Sequence, residues 1–307
     1  MVTAAPSEML TPDRALAVYS KSFNWARHFL GKKMGADAAR LYQFCRVLDD
    51  MADGDIENGQ QRLQSIRRDF VTGGKPLDPL MVAFEPFFHK HHCSPDVVVA
   101  LIDGLLSDQK PVRVKNETEL LSYAYRVAGT VGILMCGMLE CDHKNAPDHA
   151  MDLGIAMQLT NIARDILEDA EMGRRYLPES WVGDLHPSQI VTLAKTPLAN
   201  DALAITTAVE KLLNLADDYY KSGMEGFSYL PLRAHISIAI AAHVYRQIGV
   251  QLRLKHHGWH RGREVTSRFT KIICSIKALG SLVKRSHPNV QHNSALHQPI
   301  KGLPYVR

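Results

Sequence analysis

Apolar positions along the chain recur mostly at three- and four-residue intervals, and strict alternation of apolar and polar residues is nearly absent. A period near 3.6 marks helices that bury one face, whereas a period of two would mark strands. Helix starts are legible where a capping side chain, a proline and an acid follow one another, as in Thr11-Pro12-Asp13 and Ser94-Pro95-Asp96. Breaks fall at Gly35, Gly73-Gly74, Lys75-Pro76, Pro147, Pro178, Pro187, Pro197 and Leu230-Pro231. The pattern predicts roughly ten helices, most of them about 15–25 residues long. No linker or low-complexity tract divides them. A single all-α domain over residues 1–307 is expected, with a core of about residues 15–285 and a polar tail, 286–307.

One predicted helix runs against its own propensity. Val127 to Gly137 reads VAGTVGILMCG, with Gly129, Gly132 and Gly137 inside it. Each interior glycine costs up to about 1 kcal/mol relative to alanine. Either close helix packing or a long ligand lying against bare backbone has to offset that cost.

Two other helices carry stripes of acid. In LYQFCRVLDDMADGD, Tyr42, Arg46, Asp49 and Asp53 fall within about 60° of one another on a helical projection. In QLTNIARDILED, Gln158, Asn161, Asp165 and Asp169 share a face about 80° wide. Like charges one turn apart repel, so neither stripe helps its own helix unless a cation sits between the carboxylates. Carboxylate oxygens assisted by amides suit hard cations, and Mg²⁺ commonly bridges carboxylates to substrate phosphates. Arg46, Arg164, Lys21 and Arg246 are placed to complete a diphosphate clamp. Two such stripes facing one another across an apolar cavity would suit ionisation of an allylic diphosphate. Asp50, Asp55, Glu57 and Glu168 are expected to be surface or supporting acids.

Composition sharpens this picture only in places. Apolar residues make up 46% and charged residues 22%, which rules out disorder, and a net charge of +4 carries no argument for nucleic acid. The basic residues are concentrated: Gln251 to Arg285 holds nine Lys/Arg against the single acid Glu264. That stretch is either a solvated face or a contact with an anionic membrane surface. Cys45, Cys93, Cys136, Cys141 and Cys274 have no CxxC spacing and are odd in number, as expected of free thiols in a reducing cytoplasm. MVTAAPSEML does not read as a signal peptide, and no apolar run reaches the roughly 20 residues of a membrane span. The cluster His89-Lys90-His91-His92-Cys93 lacks metal-site spacing and is expected at the surface near a helix end.

The motifs resemble the squalene/phytoene synthase family, most closely its bacterial phytoene synthases. The first family motif matches Tyr42, Cys45-Arg46, Asp49 and Asp53; the second matches the whole run QLTNIARDILEDAEMGRRYLP. Ser20-Lys21-Ser22-Phe23, Tyr123 to Gly132 and Tyr245-Arg246 are lesser matches. The resemblance implies an isoprenoid synthase (class I terpenoid synthase) helical bundle around a central cavity. It implies that Asp49, Asp53, Asn161, Asp165 and Asp169 hold Mg²⁺, with Mn²⁺ as the alternative ion. It implies that Ser20, Lys21, Ser22, Tyr42, Arg46, Tyr123, Gln158, Arg164, Tyr245 and Arg246 contact the prenyl diphosphates.

The implied reaction joins two geranylgeranyl diphosphates head to head through a cyclopropyl diphosphate, giving phytoene. The same chemistry on farnesyl diphosphate would give dehydrosqualene, presqualene diphosphate or squalene, the last with NADPH. A member that serves only as an assembly factor would be expected to have eroded aspartates, and here both pairs are intact. A cytoplasmic enzyme in peripheral contact with the bilayer is expected, with no nucleic acid partner.

Overall fold

The computed structural model describes residues 7–109, 111–286 and 291–306. Part of MVTAAPSEML, which does not read as a signal peptide, and part of the polar tail lie outside the described residues. Fourteen α-helices are found among the described residues. The first six are α1 (Pro12–Tyr19), α2 (Lys21–Arg27), α3 (Lys32–Asp53), α4 (Gly59–Thr72), α5 (Pro79–Lys90) and α6 (Pro95–Ser107). Next come α7 (Glu117–Ala124), α8 (Thr130–Met138), α9 (Ala146–Glu171), α10 (Glu179–Val182) and α11 (Pro187–Leu193). The last three are α12 (Asn200–Glu225), α13 (Leu232–Leu254) and α14 (Arg268–Leu279). A π-helical turn, Tyr125–Gly129, joins α7 to α8. No strand occurs among the described residues, only an isolated bridge between Arg113 and Arg175.

The helices are more numerous and mostly shorter than the periodicity predicts. Four of them, α3, α9, α12 and α13, have 22 to 26 residues. The rest have 14 or fewer, and α1 and α2 are divided at Ser20 without any Gly or Pro signal. The long α3 is bounded by Gly31 and Gly54, whose φ angles of 81° and 84° suit only a residue without Cβ. The side chain of Thr11 caps α1 as expected, accepting from Arg14 N at 3.4 Å.

Helix α9 runs through the middle of the bundle and packs on α8, α12, α13 and the π turn. The buried apolar residues form one contiguous cluster that reaches from Ala26 to Ile300. The glycine-rich segment owes its composition to this packing. A Cβ on Gly132 would stand 2.1 Å from the carbonyl oxygen of Ala150, and one on Gly154 would stand 2.3 Å from that of Ala128. The π turn, α8 and α9 therefore touch backbone to backbone, and close packing is what offsets the glycines.

The C-terminal segment folds back onto α9. Asp152, fully buried, accepts from His292 Nε2 at 2.7 Å on one oxygen and from His297 Nε2 at 2.8 Å on the other. Ser222 Oγ donates to the same carboxylate. Tyr219 Oη donates to the carbonyl of Leu296 at 2.6 Å, and Tyr125 Oη donates to that of Pro304.

Two expectations need correction. His91 is not a surface group: it is buried, bonded to the Gly137 carbonyl at 3.2 Å and 3.3 Å from Asp37. Among the described residues one helical run, Glu117–Met138, is long and apolar enough to cross a membrane by length and composition. That run supplies cavity-lining residues from Tyr123 to Cys136. All five cysteines are free.

Candidate functional site

One cavity of about 440 Å³ takes lining from both stripes, Asp49 on α3 and the amides Gln158 and Asn161 on α9, while Asp53, Asp165 and Asp169 are not among its lining residues. Tyr42, Arg46 and Asp49 line it from α3, Gln158 and Asn161 from α9, Tyr245 from α13 and Tyr123 from α7. Beyond this polar mouth the walls are apolar, with Val127, Val131, Met135, Leu153, Ile238 and Phe227 among them. A smaller groove of about 290 Å³ beside α4 and α5 holds none of the expected site residues.

The pairs of carboxylates are tied across the mouth. Asp53, at the end of α3, accepts from Arg174 Nη2 at 2.8 Å, and Arg174 follows α9 by three residues. Asp49 accepts from Arg46 Nη1 at 2.9 Å, and the same guanidinium also pairs with the buried Asp50. Ser7 Oγ donates to Asp50 in turn, so Asp50 orients Arg46 from beneath. Asp165 is clasped by Arg164, whose Nε donates at 2.7 Å, and Arg263 stands 3.5 Å away. The backbone leaves helical geometry at Asp165 (φ −104°, ψ 15°), and this kink was not legible in the sequence.

Desolvation between the walls, with the like charges of Asp53, Asp50 and Asp108, pushes the Asp49 carboxyl up to about 6. Arg46 opposes this shift. Desolvation and Asp165 push Asp169 up to about 7, with Asp108 and Glu168 adding to the rise. Asp108 is thus close enough to act on both stripes. Its side chain accepts from Tyr123 Oη at 2.8 Å and from Tyr176 Oη at 2.9 Å, and those two rings stack at 4.7 Å. Nothing in the sequence around Asp108 singles it out, because its partners come from α7 and from the loop after α9.

These donors suit a cation. Two carboxyls are held in the protonated direction by burial first and by neighbouring negative charge second. The Oδ1 of Asn161 is buried without any hydrogen-bond partner, while its amide donates to Gln158 Oε1 at 3.2 Å. A buried carbonyl oxygen left unpaired is costly unless something electropositive meets it.

Other expected residues fall around this mouth with different fates. Ser20 caps α2, accepting from Phe23 N at 3.3 Å, and also bonds Tyr245. Phe23 stacks on Tyr245 at 4.9 Å between ring centres. Ser22 is half-buried in the first turn of α2, and Lys21 is exposed, its carbonyl accepting from Lys271 Nζ at 3.2 Å. Arg246 does not line the cavity. It turns to Asp217 on α12, bonding it at 2.7 Å, because one residue past Tyr245 on a helix is a rotation of about 100°.

The squalene/phytoene synthase family model matches residues 16–270. The chain belongs to the squalene/phytoene synthase family. Within the family it is 33% identical over 275 residues to the 15-cis-phytoene synthase of a Paracoccus species, covering 86% of this chain and 88% of that protein. It is 30% identical over 300 residues to the 15-cis-phytoene synthase of Pantoea ananas, covering 92% and 96%. Among solved structures it resembles a dehydrosqualene synthase in complex with ligand, at 27% identity and a TM-score of 0.75 over 89% of this chain and 95% of that one. The all-α isoprenoid synthase fold expected from the motifs is the fold observed.

Proposed function

We propose that this chain joins two geranylgeranyl diphosphates head to head, through a cyclopropyl diphosphate, to give phytoene and release diphosphate. The observation that carries the reading is one apolar cavity lined by Asp49 of α3 and by Gln158 and Asn161 of α9, with Asp49 and Asp169 both close enough to Asp108 to feel its charge. Relatives named phytoene synthase over nearly the whole chain support the C20 substrate. Asp49, Asp53, Asn161, Asp165 and Asp169 would hold Mg²⁺, or Mn²⁺ in its place. The bound ion supplies positive charge to the departing diphosphate.

The protein's own groups do the rest. Arg46 and Arg164, with Lys21 and the hydroxyls of Ser20 and Ser22, orient the diphosphates. Tyr42, Tyr123 and Gln158 border the prenyl chain, and the apolar walls keep water from the cationic carbon skeleton. Burial raises the phenols of Tyr42 and Tyr123 well above their usual range and raises that of Tyr245 as well. At neutral pH they remain protonated donors, and the released diphosphate is the base we assign to the final proton. One contiguous core supports treating the whole chain as a single catalytic domain. An amphiphilic substrate and a hydrocarbon product support a cytoplasmic enzyme in peripheral contact with a bilayer.

A second reading keeps the chemistry and shortens the substrate to farnesyl diphosphate. The likeness to a dehydrosqualene synthase structure favours it. The deciding experiment incubates the protein with each diphosphate and Mg²⁺, with and without NADPH, and identifies the hydrocarbon by mass. Phytoene from the C20 substrate is the expected result, and a C30 product alone would replace it with the second reading. Asp49→Ala and Asp165→Ala should each abolish pyrophosphate release while leaving the helical circular dichroism intact. Full activity in either would sink the metal assignment.

A further inference from the structure

Helix α14 has two apolar faces, and only one of them is used by the fold. On a helical projection centred on Ile276, Phe269, Ile272, Ile273 and Leu279 all fall within about 60°. Phe269 is 71% exposed, Ile276 65%, Leu279 48% and Ile272 46%. The opposite side of the helix, with Lys271, Cys274 and Ala278, is the buried one. An amphipathic helix of a globular protein does the reverse, turning its polar side to water. Val265 before the helix and Val283 after it extend the apolar exposure, at 67% and 80%. A contiguous apolar surface of this kind marks a contact that the isolated chain does not make.

Charge identifies the contact. Arg268 and Lys277 flank the stripe at about −80° and 100° on the same projection, and α14 contains no acid. A second copy docked about a two-fold axis would bring this face against itself, setting cation rows near cation rows with no carboxylate on the helix to relieve them. A surface of anionic phospholipid complements both parts: acyl chains take the stripe and head groups take its flanks.

The position fits delivery of a greasy ligand. Trp25 Nε1 donates to Ser275 Oγ at 3.1 Å, and Lys271 Nζ donates to the Lys21 carbonyl at 3.2 Å. These bonds fix α14 to α2, which contributes Phe23 to the cavity, while α14 also packs along α13, which contributes Tyr245. We propose that the outward face of α14 is an in-plane membrane anchor that seats the cavity mouth against an anionic lipid surface. This names the surface for the peripheral contact proposed above and rests on that reading.

The test uses the full chain with vesicles of phosphatidylcholine alone or mixed with phosphatidylglycerol. The expected result is co-sedimentation with the mixed vesicles and at least a tenfold weaker binding of F269E/I276E, whose substitutions are exposed and leave the fold unburdened. As a second measurement, Phe269→Trp should fluoresce in mixed vesicles and be quenched when the acyl chains are brominated. Equal sedimentation of F269E/I276E and the parent, or an unquenched tryptophan, would overturn the proposal. So would a lipid-free dimer that the same double substitution dissociates, which would make the face a self-contact. Pyrophosphate release from detergent-dispersed substrate separates the two ideas: F269E/I276E should retain it. A parent protein that binds vesicles yet releases no pyrophosphate would remove the proposed reaction and leave the anchor standing.

Discussion

Asp49 and Asp169 make the site costly to keep without a cation, and this has a measurable sign. Their carboxyls sit at about 6 and about 7 in the fold, against about 4 in an unfolded chain. The folded protein therefore binds these protons more tightly than the unfolded one. Stability of the metal-free protein is greatest when both are protonated and falls as pH rises through 6 and 7. Melting in chelator between pH 5 and pH 8 should show a falling Tm, and added Mg²⁺ should restore it at the upper end. Asp49→Asn should flatten part of that slope while removing turnover; a steeper slope in this variant would contradict the charge-repulsion account. At this scale the sequence was informative about which polar residues share one face of α3 and one face of α9, because their spacing of three and four is set by the helix itself. It was silent about Asp108 and Tyr176, whose partnership depends on two segments meeting in space. It gave no sign that Tyr245 faces the cavity while its neighbour Arg246 pairs with Asp217.

Among the elements, the crossing of the π turn and α8 over α9 is the most constrained. Alanine at Gly154 would gain up to about 1 kcal/mol of helix propensity. Its methyl would, however, meet a backbone carbonyl at 2.3 Å, and a carbonyl cannot rotate aside as a side chain can. Overpacking of this kind costs about 1–3 kcal/mol. Gly154→Ala should therefore lower stability in a urea titration despite its better propensity, and an unchanged or higher midpoint would show that the helices can separate cheaply. The all-helical class was legible because period and caps agree along the chain. Helix number and length were not, since α1 and α2, for instance, part at Ser20 with neither glycine nor proline between them. The kink at Asp165 has no proline or glycine to announce it. It arises where the carboxylate is clasped by Arg164 and approached by Arg263.

On the scale of the molecule, the Asp152 clasp joins the second turn of α9 to residues near position 300. Burial disfavours the charge on each partner, yet the bonds from His292 and His297 outweigh it and hold Asp152 below the usual carboxylate range. For His292 burial likewise opposes protonation, but its bond to Asp152 lifts the ring above its ordinary value. The Asp152 contribution is present above the unfolded carboxyl value and lost as pH falls through the depressed one. The His292 contribution is present below about 6.5 and lost as pH rises through its raised value. Hydrogen exchange of residues 294–300 should therefore quicken as pH is raised above neutrality, beyond the intrinsic rate change. Asp152→Ala, which strands the buried imidazole of His297 and the half-buried one of His292, should cost about 3 kcal/mol. Exchange in that segment identical to the parent's would show that the clasp does not hold it. The polar tail gave no hint of this role, because its partner lies about 140 residues earlier in the chain. The same separation bears on biosynthesis. While a ribosome is still adding the last helices, Asp152 has been made but its imidazole partners have not, so a nascent α9 must keep that carboxylate wetted. Final closure of the bundle then waits for the last segment to emerge, and a polypeptide stalled before position 292 would present the unsealed bundle to chaperones.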